Sequence, residues 1–137
     1  IVARDSLFEE EVEYVREVCK ILKKNNVVLD ITAYISLFDG LNYSDDILRI
    51  VCEENVPFVV GTDFFGSAML EEIECLKKAG FTNESILHAA TITSAEMLGQ
   101  KRRIGCVRKG AIADLLVLSS DPFNDLNTLR DITLIIM

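Results

Sequence analysis

The sequence has very little histidine, proline or tryptophan, and it lacks the common catalytic and nucleotide-binding motifs. Its 137 residues include one histidine, two prolines and no tryptophan. It also lacks the G-x-G-x-x-G fingerprint, the phosphate-binding loop, the nucleophile elbow and the H-E-x-x-H motif. The lone histidine, His88, cannot form a metal centre by itself, because such a centre needs several converging donors. We therefore predict that His88 lies on a helix surface.

Basic residues are also few. The chain has 14 lysines and arginines against 22 aspartates and glutamates, which gives a formal net charge of −8. This excess of negative charge argues against nucleic-acid partners and against binding to an anionic membrane surface. We interpret the basic cluster at residues 101–103 as a solvated loop and not as a phosphate site.

The cysteines lack the short spacings of a zinc or redox motif. They lie far apart in the sequence, at Cys19, Cys52, Cys75 and Cys106. Reduced, partly buried thiols are therefore favoured over disulfides or a zinc cluster. Because the sequence also shows neither a signal peptide nor an apolar run long enough to span a bilayer, we expect a cytoplasmic protein with no membrane partner.

Hydrophobic residues, by contrast, are plentiful. They make up 50% of the chain, which is rich for a small domain with much exposed surface. We expect either a homo-oligomer or a remainder of the protein that covers the apolar faces. The first residue is Ile1 and not methionine, and residues 132–137 end the chain in an apolar run. Our interpretation is that both ends are cut from a longer protein.

Apolar strands and amphipathic helices alternate along the first two-thirds of the chain. Helices are predicted over residues 6–25, 44–55 and 83–98, with another between Ser67 and Gly80, and strands over residues 27–32 and 56–60. This alternation predicts an α/β fold with a parallel sheet and crossover helices. The last third is β-rich, with a hairpin predicted over residues 105–118 and a final strand over residues 132–136.

The chain is organised around residues 56–64, where an apolar strand leads to Gly61-Thr62-Asp63. In α/β proteins, functional groups are commonly presented at the carboxyl ends of strands. Asp63 could therefore be a functional carboxylate, or it could cap the loop before the next helix. Spacing alone leaves these two interpretations about even.

Other carboxylates are assigned to structure. Asp30 and Thr32 could point into a site, but a role in ending their strand is favoured. Asp114 is predicted to lie inside a strand, and Asp121 to lie in an Asp-Pro turn.

Several short motifs after residue 27 resemble, in order, the C-terminal part of metal-dependent amidohydrolases. The resemblance is strongest to the imidazolonepropionase and prolidase-like branch. The motifs are Gly61-Thr62-Asp63, Leu76-Lys77-Lys78-Ala79-Gly80-Phe81-Thr82, Ile86-Leu87-His88-Ala89-Ala90-Thr91, Ala95-Glu96-Met97-Leu98-Gly99, Ile104-Gly105, Lys109-Gly110, Ala113-Asp114-Leu115-Leu116-Val117-Leu118 and Asp121-Pro122.

The resemblance implies an α/β fold that forms the C-terminal portion of a (β/α)8 barrel plus part of a small β-sandwich. A complete barrel needs about 250 residues, so this chain would supply only its last strands and helices. The implied division places the barrel units in residues 1–100 and the sandwich segment in residues 101–137.

The resemblance also implies a chemistry. Asp63 would be a metal ligand and the base that accepts a proton from metal-bound water, with zinc as the divalent metal and a small amide as the substrate. The family's histidine pair on the first strand, its strand-four ligand and its later histidines are missing here, and His88 stands at a position that the family leaves variable. Asp30 stands where relatives often show proline. We therefore expect the chain alone to be inactive, because one carboxylate cannot hold a catalytic metal.

Two alternatives stay open at the level of sequence. One is a non-catalytic, amidohydrolase-like α/β module that self-associates or binds a partner. The other is an unrelated small doubly wound domain with a ligand site at Asp63.

Overall fold

A computed structural model describes residues 7–36, 44–64 and 68–137. The chain divides into two compact units, a first unit of Ile1–Phe81 and a second unit of Thr82–Met137. No helix within the described ranges is both long enough and apolar enough to cross a membrane.

The first unit alternates helices with strands. Its elements are α1 (Glu9–Lys24), β1 (Leu29–Ile31), α2 (Ala33–Ser36), α3 (Ser44–Glu53), β2 (Phe58–Val60) and α4 (Met69–Lys78). Strands β1 and β2 pair in parallel, with Leu29 opposite Phe58 and Ile31 opposite Val60. The predicted α/β alternation and parallel pairing are therefore confirmed. The strands are shorter than predicted, and residues 37–43 lie outside the described part.

Helix α1 is stabilised along its length by charge. Three glutamates occupy its first turn and two lysines its last turn, which is the favourable arrangement for the helix dipole. Arg16 in the middle of α1 reaches the end of α3, where its guanidinium nitrogens lie 2.5 Å from Glu53 Oε2 and 2.7 Å from Glu54 Oε1. The ion pairs raise the pKa of Arg16 and lower that of the Glu54 carboxyl.

The core of the first unit surrounds β2. All three residues of β2 are buried, as expected for a parallel strand covered on both faces. The Phe58 ring packs at a tilt against Phe81, with 4.6 Å between ring centroids. Leu76 in α4 and Cys19 in α1 are almost completely buried. Helix α1, which precedes β2 in the sequence, and helix α4, which follows it, therefore both contribute buried side chains to this core.

Gly61 joins the carboxyl ends of the two strands. Its backbone N–H donates to the Ile31 carbonyl over 2.9 Å, one step beyond the paired residues. A Cβ atom on Gly61 would overlap the Asp30 carboxylate and crowd the Thr32 methyl group. Asp30 therefore lies within β1, opposite Val59, with its carboxylate over Gly61. The interpretation that Asp30 ends its strand is wrong, because the pairing with β2 continues past it.

The second unit begins with a helical segment that matches the predicted bounds but is not uniform. Helix α5 (Asn83–His88) passes into a π-helical turn (Ala89–Thr93) and then into α6 (Ser94–Met97). Thr82 caps α5 by accepting the Ser85 N–H through its hydroxyl over 3.1 Å. In the π-helical turn, the Ser94 hydroxyl donates to the Ala89 carbonyl over 2.7 Å. A Cβ on Gly105 would collide with the Thr91 carbonyl, so that turn requires a glycine at residue 105.

The β-rich part of the second unit is paired differently from the prediction. Strand β3 (Leu115–Leu118) pairs antiparallel with β4 (Ile132–Ile136), and a 3-10 turn (Leu126–Arg130) precedes β4. The predicted hairpin over residues 105–118 is wrong. Gly105 and Gly110 both have positive φ values, of 70° and 89°, which interrupt the extended backbone that a strand needs. Asp114 therefore lies just before a strand and not inside it.

The Asp121 turn is confirmed, and it explains how the chain returns towards β4. The Asp121 carboxylate accepts the Phe123 N–H over 2.9 Å, and the Asp125 carboxylate accepts the Asn127 N–H over 3.0 Å. All five residues of β4 are exposed in this chain. Whether a homo-oligomer or the rest of a longer protein covers them stays a prediction.

The four cysteines are free, with Cys19 buried and the other three half-buried. Burial raises the pKa of the Cys19, Cys52 and Cys75 thiols. The expectation of unpaired, partly buried thiols is confirmed.

Leu76→Ala tests the core around β2. Leu76 is 0% exposed, so the substitution leaves a cavity and lowers the free energy of unfolding by about 2–5 kcal/mol. The matched control is Leu98→Ala, because Leu98 is 70% exposed and its loss changes the free energy of unfolding by under about 0.5 kcal/mol. Urea unfolding followed by circular dichroism measures both. Equal losses in the two variants would contradict the assigned core.

Gly61→Ala tests the close approach of the two strand ends. The new methyl group displaces the Asp30 carboxylate and lowers the free energy of unfolding by about 1–3 kcal/mol. Asp30→Ala removes the obstructing group, so Gly61→Ala costs much less in that background, and the two substitutions are non-additive. Additive losses, measured by the same urea titration, would show that Asp30 does not occupy this space.

Candidate functional site

The candidate site lies at the carboxyl ends of β1 and β2. Because the two strands are parallel neighbours, the segments that follow them emerge at the same edge. After β1 come Thr32 and α2, and after β2 come Gly61, Thr62 and Asp63. This is the edge at which the sequence predicts a functional carboxylate.

Asp63 has an unusual backbone conformation. Its φ is 45°, in the left-handed region that few residues other than glycine adopt, although aspartate is among those that do. Its side chain is exposed to solvent. The Thr62 hydroxyl accepts the Phe64 N–H over 3.4 Å and lies 3.2 Å from the Phe64 carbonyl oxygen, to which it can donate. The backbone therefore turns sharply at Asp63, and the carboxylate is presented at the end of a rigid strand.

An aromatic contact connects the segments that follow the two strands. The rings of Tyr34, in α2, and Phe64 meet edge to face, with 5.8 Å between centroids and 85° between planes. Such edge-to-face pairs are favoured over stacked rings and contribute beyond the area they bury. Because Phe64 directly follows Asp63, the contact limits how far the Asp63 segment can move relative to α2.

Glu72, which was not singled out from the sequence, binds the backbone that follows β1 at this edge. Glu72 lies in α4, and its side chain is completely buried. Its two carboxylate oxygens accept the backbone N–H groups of Ala33 over 2.8 Å and of Tyr34 over 2.7 Å. A signal was present, because Glu72 stands three residues after Met69 and four before Leu76. A charged residue therefore falls on the apolar stripe of α4.

The electrostatics of the edge are acidic. Burial raises the pKa of the Glu72 carboxyl, the two backbone N–H groups lower it, and the negative charge of Asp30 raises it. The Asp30 carboxylate also lies over Gly61, and Gly61 precedes Asp63 by two residues. The negative charge therefore favours a cation at this edge over an anion.

The described residues do not by themselves form a metal centre. No group of three or more histidine, cysteine, aspartate or glutamate side chains is arranged to hold a metal ion within residues 7–36, 44–64 and 68–137. A catalytic metal site needs about three protein ligands. Asp63, an exposed carboxylate at a strand end, fits as one member of such a set, and the part of the chain that the structure describes does not supply the whole set.

The other polar residues considered from sequence lie in the second unit. His88 is exposed at the end of α5, in the second unit, which confirms its predicted position on a helix surface. Asp114 and Asp121 are exposed near the two ends of β3, also in the second unit.

Comparison with solved structures identifies similar folds. A Xaa-Pro dipeptidase with bound methionine in its active site superposes with a TM-score of 0.77 at 19% identity, over 88% of this chain and 35% of that one. An amidohydrolase gives a TM-score of 0.74 at 22% identity, again over 88% and 35% of the two chains. A prolidase complexed with N-methylphosphonate-L-proline gives 0.66 at 18% identity, over 88% and 36%.

This chain therefore spans about a third of the length of those structures. At these identities the likeness establishes a shared α/β fold and nothing finer. No curated protein sequence matches the chain. The sequence profile of the amidohydrolase family, however, matches residues 12–136, which is nearly the whole chain. The chain belongs to the amidohydrolase family.

Proposed function

We propose that this chain is part of a metal-dependent hydrolase of C–N bonds in amides or cyclic amides, and that Asp63 is a ligand of its metal. The observation that carries the proposal is the position of Asp63: an exposed carboxylate, in a left-handed conformation, at the carboxyl end of β2 in a chain of the amidohydrolase family. Asp63 is the residue to which both the strand geometry and the family's Gly-Thr-Asp motif lead.

The proposed architecture is the C-terminal portion of a (β/α)8 barrel with part of a small β-sandwich. The parallel pair β1–β2 with its intervening helices supports the barrel assignment. The antiparallel pair β3–β4, with its exposed apolar side chains, supports the sandwich assignment. We propose residues 1–100 for the barrel part and residues 101–137 for the sandwich part.

In the proposed mechanism, Asp63 transfers one proton from the attacking water to the departing nitrogen. A divalent metal, which we propose to be zinc, would polarise the amide carbonyl and acidify the attacking water. The Asp63 carboxylate accepts the proton of that water as its oxygen bonds to the amide carbon. Asp63 then returns the proton to the departing nitrogen as the C–N bond breaks. The carboxylate starts and ends the cycle ionised, so the proton balance closes.

The local backbone suits this role. The hydrogen bond from Gly61 to Ile31 fixes the strand end, and the Thr62 hydroxyl braces the turn at Asp63. General-base catalysis requires the carboxylate within hydrogen-bond reach of the water in every turnover. The remaining metal ligands would come from parts of the protein outside this chain, so we propose that the 137-residue chain alone is inactive.

The proposed substrates are small molecules with an amide or cyclic amide bond. The structural neighbours include a Xaa-Pro dipeptidase and a prolidase, so dipeptides ending in proline belong in the substrate panel beside cyclic amides. We further propose a homo-oligomer in the cytoplasm without nucleic-acid or membrane partners.

A second candidate function is a non-catalytic module that self-associates or binds a partner. The observation that favours it is the exposed apolar surface of β3 and β4, where Leu134 and Ile135 are 54% and 56% exposed. Surface of this kind commonly marks an interaction site. The metal experiment below separates the two candidates.

Asp63→Asn is predicted to abolish hydrolysis in the longest natural protein that contains this chain. The amide keeps the shape of the carboxylate but cannot accept the proton, so kcat/KM falls by about 10²–10⁴-fold. Asp114→Asn is the matched control, because Asp114 is exposed in the second unit, and it leaves kcat/KM unchanged. The assay uses a panel of Xaa-Pro dipeptides and cyclic amides. Full activity of Asp63→Asn would contradict the proposal.

Metal content is predicted to depend on Asp63. In elemental analysis, the native long protein carries zinc or another divalent metal, and a chelator removes both the metal and the activity. Asp63→Asn retains less metal, because the set has lost one ligand. The 137-residue chain alone carries no stoichiometric metal. A long protein that forms a discrete oligomer without metal or hydrolytic activity would favour the non-catalytic module.

A further inference from the structure

Glu72 has a burial that the proposed chemistry does not explain. Among the described residues it is the only charged residue that is buried, and it is 0% exposed. A buried carboxylate is costly unless hydrogen bonds compensate it. Glu72 has such bonds, one on each oxygen, from the N–H groups of Ala33 and Tyr34. The side chain thus links α4, which follows the Asp63 segment, to the backbone that follows β1.

The geometry of these bonds requires a carboxylate. Ala33 and Tyr34 are adjacent, and their two N–H groups need two acceptors. A glutamate offers two acceptor oxygens, whereas a glutamine offers one and points an NH2 group at the second N–H. Bonds to a charged acceptor are also the stronger kind. Glu72 therefore fixes the backbone at residues 33 and 34 more tightly than a neutral side chain of the same size would.

A second contact carries this constraint across the edge. The ring of Tyr34 meets the ring of Phe64 edge to face at 5.8 Å between centroids. Phe64 is the neighbour of Asp63, whose backbone is held in the left-handed region. Two consecutive contacts thus connect Glu72 to Asp63, first the hydrogen bond to the Tyr34 backbone and then the Tyr34–Phe64 ring contact.

We propose that Glu72 is a positioning residue for Asp63, acting through the Tyr34 backbone and the Tyr34–Phe64 ring contact. The inference rests on the proposed function for the identity of Asp63 as the acting carboxylate. It goes beyond that function in assigning the side chain that holds Asp63 in place. The competing explanation is that Glu72 only satisfies two buried N–H groups and has no effect beyond residue 34.

The first test is amide hydrogen exchange in Glu72→Gln, with Glu74→Gln as the matched control on the exposed side of α4. The longest natural protein that contains this chain is used. Exchange at Ala33 and Tyr34 accelerates about tenfold or more, because a charge-assisted hydrogen bond is lost. The reporter for the other strand is Gly61, whose N–H is bonded to Ile31. Faster exchange at Gly61 in Glu72→Gln alone supports positioning, and unchanged exchange there overturns it.

The second test is zinc affinity, measured by competition with a chromophoric chelator. Residues that orient metal ligands typically alter affinity by about 10–100-fold when substituted, so Glu72→Gln weakens zinc binding by about tenfold. Glu74→Gln leaves it within about twofold. Tyr34→Leu, which keeps Glu72 intact, weakens zinc binding to a similar extent. The double variant Glu72→Gln/Tyr34→Leu binds zinc no more weakly than either single variant, because both substitutions interrupt the same chain of contacts to Asp63.

Tyr34→Leu keeps the proposal testable even if Glu72→Gln fails to fold. Native zinc affinity in Tyr34→Leu would overturn the route through the ring contact. If Asp63→Asn keeps native activity and metal content, the proposed function fails. The exchange at Gly61 in Glu72→Gln does not depend on metal, so it supports or overturns positioning whether or not the proposed function holds.

Discussion

The parallel pairing of β1 and β2 is the constraint on which the candidate site depends. It brings the carboxyl ends of two strands, separated by nearly thirty residues of sequence, to one edge. The pairing continues as far as the Gly61–Ile31 hydrogen bond, so the backbone is still fixed two residues before Asp63. A side chain at residue 61 would displace the Asp30 carboxylate, which occupies the space beside the Gly61 backbone. A carboxylate held on such a strand end has little freedom to leave its position.

The same edge gathers negative charge in a chain that is already acidic. Asp30 and Glu72 interact unfavourably, and burial makes the charged form of Glu72 still more costly. Two backbone N–H groups offset part of that cost. Arrangements of this kind are expected at functional sites, where local stability is given up for a particular geometry.

The elements that could be predicted are those specified by the spacing of apolar residues within a short stretch of sequence. The helices around Cys19 and Leu76, the strand before Gly61 and the final strand follow from the spacing of apolar residues, and the structure contains all of them. Asp63 could be singled out because it follows that strand. The position of Asp30 over Gly61 could not be predicted, because it depends on a register between strands that no local pattern specifies.

The failures have the same physical origin. The role of Glu72 was missed, because its hydrogen-bond partners Ala33 and Tyr34 lie nearly forty residues away in sequence. A hairpin was predicted over residues 105–118, yet β3 pairs with the more distant β4. Gly105 lies close to the Thr91 carbonyl in the π-helical turn at Ala89–Thr93, which is another contact that local sequence does not specify. Long-range packing decided each of these cases.

The most direct measurement of the central claim is anomalous X-ray scattering at the zinc edge, from crystals of the longest natural protein that contains this chain. The account predicts an anomalous peak at the carboxyl end of β2, about 2.0–2.2 Å from a carboxylate oxygen of Asp63. The peak is lost or strongly weakened in Asp63→Asn. A metal bound elsewhere, with Asp63 facing solvent and unligated, would contradict the account.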